Sequence, residues 1–484
     1  YLPTYDMKKM VEDKKLRDLV PHMDLLCDEH KFGHGIETLG TFLKAYEEWI
    51  ETSEADLLNR FNSGLISQHL ENESITMVQN ARDNLQRMLD GVVYLSKNDS
   101  VRKAFIMANQ SIRMSQDVPT HPDLRGRNQN FKWRPFQLAF QLLNIRSLCA
   151  LEQTDSGREE RNVMDLAWFP TGGGKTEAYL GMIATIGFYR RIRFPETEKE
   201  RPSVHAVMRY TLRLLTSDQA DRLVRLAGAM NHIARENEPD HDFHEFRIGM
   251  WIGGAASPNR LLAGENEETP SAEGNLRRLR NNMPEKGSGT VLQFELCPWC
   301  GDESDSGVKN PKNWSITELN GQKSLLGVCP IETCLFHKGI PFTCVDDDLY
   351  LNPPSILLGT ADKFAQLSRN PIPKSVYGRN TPQARDYNAR TMLGFDNRHF
   401  APDLIIQDEL HLLTGPLGTI AGLIETAMDV SWASVGHQPK YVAATATIRG
   451  AERDAMLMYG KELNVFPPPV ATASDNFFAQ MDRN

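Results

Sequence analysis

The sequence predicts an α/β fold, a parallel sheet with helices on both faces, and three segments predict it. Each is an apolar run of strand length that stops at chemically equipped residues. The first, Val163 to Phe169 with Asp165 as its polar exception, meets Pro170-Thr171-Gly172-Gly173-Gly174-Lys175-Thr176 and then a helical stretch, Glu177 to Ile183. The second, Asp403-Leu404-Ile405-Ile406-Gln407, runs into Asp408-Glu409-Leu410-His411. The third, Tyr441 to Ala444, ends on Thr445-Ala446-Thr447. Strands that alternate with helical patterns read as β-α-β units, and such units build parallel sheets.

Taken in chain order, residues 1 to about 125 read as helical. Ile36-Leu39-Leu43-Tyr46-Trp49-Ile50 and Leu85-Met88-Leu89-Val92-Val93 both keep helical spacing. Asn98-Asp99-Ser100 can break a helix, and Pro119 to Asn130, rich in Pro, Gly, Asn and Arg, is the stronger boundary. Cys27 and Cys149 read as buried small hydrophobes.

The first of the three segments has the chemistry of a phosphate cradle. Thr171, Gly172, Gly173 and Gly174 let backbone N–H groups approach phosphates, Lys175 would reach the β- and γ-phosphates, and the Thr176 hydroxyl would bind Mg²⁺. The strict pattern has a glycine where Phe169 stands, so a glycine-rich turn that merely precedes Lys-Thr is the plain alternative. Support comes from the second segment. An acid at a strand's C-terminal end suits a Mg-nucleotide site: Asp408 would hold Mg²⁺ and Glu409 would polarise the attacking water. A helix N-terminus also favours Asp-Glu, but that leaves the cradle without a partner.

The stretch between Lys175 and Asp408 is long for one such sheet. The surplus is expected as an insertion between roughly 235 and 350, with a polar, mobile tract from Ser257 to Gly289 and five of the seven cysteines. Cys297 and Cys300 form a C-x2-C pair, Cys329 and Cys334 a C-x4-C pair, with 28 residues between the pairs. Four thiolates at knuckle spacing suit a closed tetrahedral Zn²⁺ site. His337 and Cys344 are substitutes, and free thiols, a disulfide or an iron–sulfur cluster are the alternatives.

Composition sets outer bounds. A chain of 484 residues, 40% hydrophobic and 24% charged, can hold two to four domains of about 150 residues and bury a large core. A formal net charge of −9 is no footprint of a protein that coats DNA nonspecifically. It leaves room for a local groove, and arginines cluster in Arg102–Arg134 and Arg190–Arg225. There is no apolar run of 18 residues. The chain starts at Tyr1, so a trimmed or partial chain is expected and targeting is not judged from it.

In this order and company the segments resemble the motifs of superfamily 2 helicases. Arg134-Pro135-Phe136-Gln137 is similar to their glutamine motif, in which Gln137 would read adenine. Met208 to Thr216 stands where such enzymes lay a loop on the nucleic-acid backbone. Leu358 to Phe364 resembles the next backbone element. By that resemblance Arg209, Arg213, Thr360 and Lys363 touch DNA without reading sequence; a solvated helix face is the equal alternative for the two arginines. Thr445 and Thr447 would couple hydrolysis to movement.

Phe169 to Tyr179, Arg209 to Thr216, Leu296 to Gly301 and Ile405 to Thr419 together resemble the DrmA family, the large helicases of the DISARM bacterial anti-phage systems. The resemblance runs from about 130 to 484. It implies a RecA-like domain over 126–484, catalysis by Lys175, Asp408, Glu409 and His411, and ATP with Mg²⁺ as cofactor. It implies DNA as polymer, a DrmB-like partner protein and a cytoplasmic setting. Leu410 departs from Asp-Glu-Ala-His but leaves the carboxylates and His411 in place. A second RecA-like domain, which such motors close on the nucleotide, is not expected within these residues. The implied function is the first motor domain of an ATP-dependent DNA helicase or translocase. A nucleotide-gated DNA-binding scaffold with little turnover and an RNA helicase are the alternatives.

Overall fold

The computed structural model of the chain describes residues 10–11, 14–116, 131–152, 154–169, 174–200, 202–210, 213–237, 243–254, 256–264, 270–287, 289–364, 372–378, 400–413, 415–445, 450–468 and 476–481. After a short strand β1 (Met10–Val11) come the helices α1 (Lys14–Leu19), α2 (Met23–Leu26), α3 (Phe32–Asn62), α4 (Glu71–Lys97), α5 (Asp99–Gln116) and α6 (Pro135–Leu148). Asn98 adopts extended backbone and ends α4, as its polar cluster predicts. On α3 the predicted stripe is buried at Leu39, Leu43, Tyr46 and Ile50. On α4 it is narrower than predicted: Leu85, Met88 and Val92 are buried, whereas Leu89 and Val93 are exposed. Those two sit one residue past a buried position, about 100° further round the helix.

Strands and helices then alternate: β2 (Val163–Trp168), α7 (Lys175–Arg193), α8 (Pro195–Glu200), β3 (Ala206–Tyr210), α9 (Arg213–Asn237), β4 (Ile248–Trp251), α10 (Ala272–Arg280), the hairpin β5 (Trp314–Leu319) and β6 (Gln322–Gly327), β7 (Phe342–Thr343), α11 (Asp346–Leu351), β8 (Ile356–Thr360), α12 (Ala361–Phe364), β9 (Leu404–Gln407), α13 (Gly415–Ala433), β10 (Lys440–Thr445), α14 (Ala451–Tyr459), β11 (Glu462–Phe466) and β12 (Gln480–Met481). Among the described residues eight strands form one sheet, ordered β11-β2-β10-β9-β3-β8-β4-β7, and every neighbouring pair is parallel. All eight therefore end at one edge, which in open α/β sheets is where ligands bind.

The sheet separates two cores because successive strand side chains point to opposite faces. Leu404 and Ile406 of β9 and Val442 and Ala444 of β10 join the core under α6, α7, α9 and the N-terminal helices. Ile405, Tyr441 and Ala443 join the core under α13 and α14. The N-terminal helices thus form one layer of the main domain, and α5 lies along α7 and α9. Phe477 and Phe478 close the same layer against Tyr46 and Phe42 of α3.

Within 235–350 the chain also contributes to the sheet. β4 and β7 are rungs of the sheet, with Ile248 paired to both Ile356 and Phe342, so the outlying module lies between Trp251 and Phe342. The tract from Ser257 to Gly289 also holds α10, whose Ser271 Oγ accepts from the Gly274 N–H at 3.1 Å. A Ser cap three residues ahead of a free N–H was the available signal for that helix.

Buried charges lock the edge where the strands begin. Asp165 of β2, without exposed surface, accepts from Arg87 of α4 at 2.7 and 2.8 Å, from Lys440 of β10 at 2.6 Å and from Asn464 of β11 at 2.7 Å. Asp403, just before β9, takes Arg190 at 2.5 Å and Arg161 at 3.5 Å. Arg190 also bonds Glu198 at 2.9 Å, and Glu198 bonds His205 at 2.7 Å. A charge buried in a sheet persists only when paired and hydrogen-bonded in this way.

Candidate functional site

The sheet order brings the three sequence segments together. β10 lies between β2 and β9, with Thr445 opposite Trp168 and Ala443 opposite Gln407. The phosphate-loop candidate leaves the end of β2, the acid pair leaves the end of β9, and Thr445 ends the strand between them. Thr171, Gly172, Gly173 and Thr447 lie outside the described residues.

Gly174 stands at the N-cap of α7 with φ 82°, and no side chain caps the helix. The first-turn N–H groups of a 19-residue helix and its dipole therefore face the loop, the arrangement that binds phosphate. Thr176 lies in that first turn and is half-buried. Lys175 Nζ donates to the Phe169 carbonyl at 2.7 Å. Burial lowers the Lys175 pKa, and the charges of Asp408 and Glu409 oppose that shift. A half-buried amine near two acids is a set of groups that Mg-nucleotide phosphates fit.

Phe169, where glycine was expected, stacks on Phe136 with ring centres 3.9 Å apart. Gln137 bridges the same two elements: its Oε1 accepts from the Arg134 N–H at 2.9 Å and its Nε2 donates to the Gly174 carbonyl at 2.8 Å. Both ends of that carboxamide are used. Gln137 here ties the loop to the start of α6.

Asp408 is buried and accepts from the Glu409 N–H at 3.0 Å. Burial and then the neighbouring Glu409 raise its pKa, against the pull of Tyr210 and Lys175. Glu409 itself has φ 50°, a left-handed backbone uncommon outside glycine. Such strain is held by its surroundings and clusters at functional positions. His411 Nδ1 lies 3.0 Å from Thr445 Oγ1 and 3.3 Å from Glu409 Oε2. Thr445 thus contacts the acidic motif through His411.

The residues expected to touch DNA are buried where their side chains are described. Arg209 is buried, pairs with Glu425 and lies 4.8 Å over the Phe364 ring. Thr360 is buried, and Lys363 is buried with its amine 2.5 Å from Asp346. These three side chains scarcely reach solvent. Arg213 opens α9, and its side chain lies outside the described residues.

Cys297, Cys300, Cys329 and Cys334 converge, with their sulfurs within 4.8 Å of one another. Sγ–Sγ distances are 3.7 Å for Cys297–Cys334 and for Cys300–Cys329. Zn–S bonds of about 2.3 Å in a tetrahedron put the sulfurs about 3.8 Å apart, so the quartet fits zinc. Burial pushes the Cys329 thiol up to about 12, and a cation is what would let such thiols ionise together. His337 bonds the Cys329 carbonyl at 3.2 Å, and Cys344 is not among the four.

A parallel sheet with a Gly-Lys-Thr helix start, an Asp-Glu pair and a threonine meeting at its carboxyl edge defines a RecA-like domain of the P-loop class. The chain is 34% identical to DISARM protein DrmA of Bacillus paralicheniformis (strain ATCC 9945a / NCIMB 11709 / CD-2), over 93% of its own length and 41% of that protein. Over that span it is similar to DrmA, and it covers less than half of that protein's length. No family model matches it. Two solved structures overlap it in part. The DUF1998 helicase MrfA bound to DNA matches 74% of the chain and 27% of its own, with TM-score 0.32 and 12% identity. MrfA alone matches 69% and 32%, with TM-score 0.31 and 11% identity.

Proposed function

We propose that the chain is the first motor domain of an ATP-dependent DNA helicase or translocase of a bacterial phage-defence system, with residues 126–484 as the RecA-like domain. The observation that carries this is the meeting of Lys175, Asp408, Glu409, His411 and Thr445 at one sheet edge. The N-terminus of α7 and Lys175 would bind the phosphates of ATP, with Lys175 exchanging the Phe169 carbonyl for phosphate oxygen. Thr176 and Asp408 would hold Mg²⁺, which neutralises charge on the transferred phosphoryl group. Glu409 orients and deprotonates the attacking water. The contacts from His411 to Glu409 and Thr445 support a relay from hydrolysis to DNA movement. The cysteine quartet would hold a structural zinc ion. DNA as polymer, a DrmB-like partner and a cytoplasmic setting belong to this proposal by resemblance to DrmA; separately, none of the described helices is long and apolar enough to cross a membrane.

The test is DNA-stimulated ATP hydrolysis by the full-length protein. Lys175→Ala is expected to cost about 100-fold or more, the scale of losing one transition-state charge contact. Equal turnover in both proteins would sink the proposal. Binding of ATP and DNA with no turnover would favour the nucleotide-gated scaffold. Preference for RNA strands would point to an RNA helicase, since only RNA offers the 2′-OH.

A further inference from the structure

The cysteine quartet lies against α9. Phe336 follows Cys334 in a short turn, donates its N–H to Cys334 Sγ at 3.4 Å and accepts from the Cys329 N–H at 2.9 Å. Its ring is buried and stands 5.7 Å from Trp299, the residue before Cys300. That ring fills a notch at Gly228 of α9: a Cβ there would come within 2.5 Å of Phe336 Cε1. Closer to its start, α9 reaches the phosphate loop. Arg222 forms an ion pair with Glu177 in the first turn of α7. Glu177 Oε2 in turn stands 3.0 Å from where a Cβ on Gly174 would be. Gly228 and Arg222 are about 9 Å apart along the helix axis at 1.5 Å per residue. One rigid element therefore touches both the cysteine turn and the loop helix.

We propose that the metal-loaded cysteine quartet positions the phosphate loop through α9, with Phe336 seated at Gly228 and Arg222 bound to Glu177 as the two links. The first link stands on geometry alone, and the second rests on the nucleotide reading above. Metal orders the turn that carries Phe336, the ring fixes the height and rotation of α9, and Arg222 passes that placement to α7. These residues act by positioning and touch no reacting atom.

The experiment compares the zinc-loaded chain with the same chain after chelator treatment, by hydrogen exchange along α9 and by titration with a fluorescent ATP analogue. Metal removal is expected to speed exchange in α9 and to weaken nucleotide binding five- to tenfold, an ordinary coupling between sites. In Arg222→Ala the exchange should respond as in the wild type, while nucleotide affinity should no longer depend on metal. Gly228→Ala should weaken zinc retention against a colorimetric chelator several-fold. Adding Phe336→Leu, which vacates the notch, should restore part of it. Unchanged α9 exchange on metal removal, or an Arg222→Ala protein whose nucleotide affinity still follows the metal, overturns the proposal. If zinc-loaded wild type binds no nucleotide, the nucleotide reading falls separately, and α9 exchange alone decides whether the quartet holds the helix.

Discussion

Asp403 and Asp408 stand at the two ends of strand β9, five positions apart, in surroundings that differ in kind. At the starting end, burial would push Asp403 up, but Arg190, His437 and Arg161 outweigh it and hold its carboxyl below the ordinary range. At the finishing end, burial and Glu409 push Asp408 above that range, with Lys175 only partly compensating. Both acids are buried. One has its charge satisfied by cations, the other is crowded by a like charge beside a strained residue. Satisfied charge at the amino edge stabilises the sheet. Unsatisfied charge at the carboxyl edge is what a phosphate and a divalent cation would complete.

The largest effect should come from breaking the satisfied end. Asp403→Ala leaves Arg190 and Arg161 buried without their carboxylate and should cost about 3–5 kcal/mol in a urea titration. A loss near zero would dissolve the contrast. The pH dependence has opposite signs at the two ends. Because the folded pKa of Asp403 is below 3.8, its contribution is present above that pH and lost as pH falls through the lower folded value. Because the folded pKa of Asp408 is above 3.8, its contribution is present below that pH and lost as pH rises through the higher folded value. Asp408→Asn should therefore raise stability at pH 7, on the order of 1 kcal/mol, while turnover is lost. Calorimetry that shows it less stable than the wild type would contradict that assignment. The smallest effect is expected from Thr445→Val, which removes the bond to His411. Basal ATP turnover should stay within about twofold and stimulation by DNA should fall several-fold, in line with one hydrogen bond of roughly 1 kcal/mol.

The residues that meet at the carboxyl edge were legible in the sequence because Gly174-Lys175-Thr176, Asp408-Glu409 and Thr445 each sit in a short run after an apolar strand, and the runs support one another. The cysteine quartet was legible for the same reason, through its pair spacing. The amino edge was not. Asp165 read only as a polar exception in an apolar strand, since Arg87 and Lys440 approach it from residues far away in the chain. The pairing of Arg209 with Glu425 was not legible, because the two residues lie far apart in the chain. Helical periodicity in 32–116 showed which faces are apolar but not that α6, α7 and α9 pack against them. β4 and β7 are four and two residues long, too short for a pattern, so these rungs within 235–350 were not legible.

The most direct measurement is ATP turnover by the full-length protein carrying Glu409→Gln, with ATP binding measured alongside in the presence of DNA. Glu409 is the strained residue of the carboxyl edge and the one assigned to the water. Binding should match the wild type and turnover should fall about 100-fold or more, the usual cost of losing a general base. Wild-type turnover in that variant would contradict the claim that this edge of the sheet performs hydrolysis.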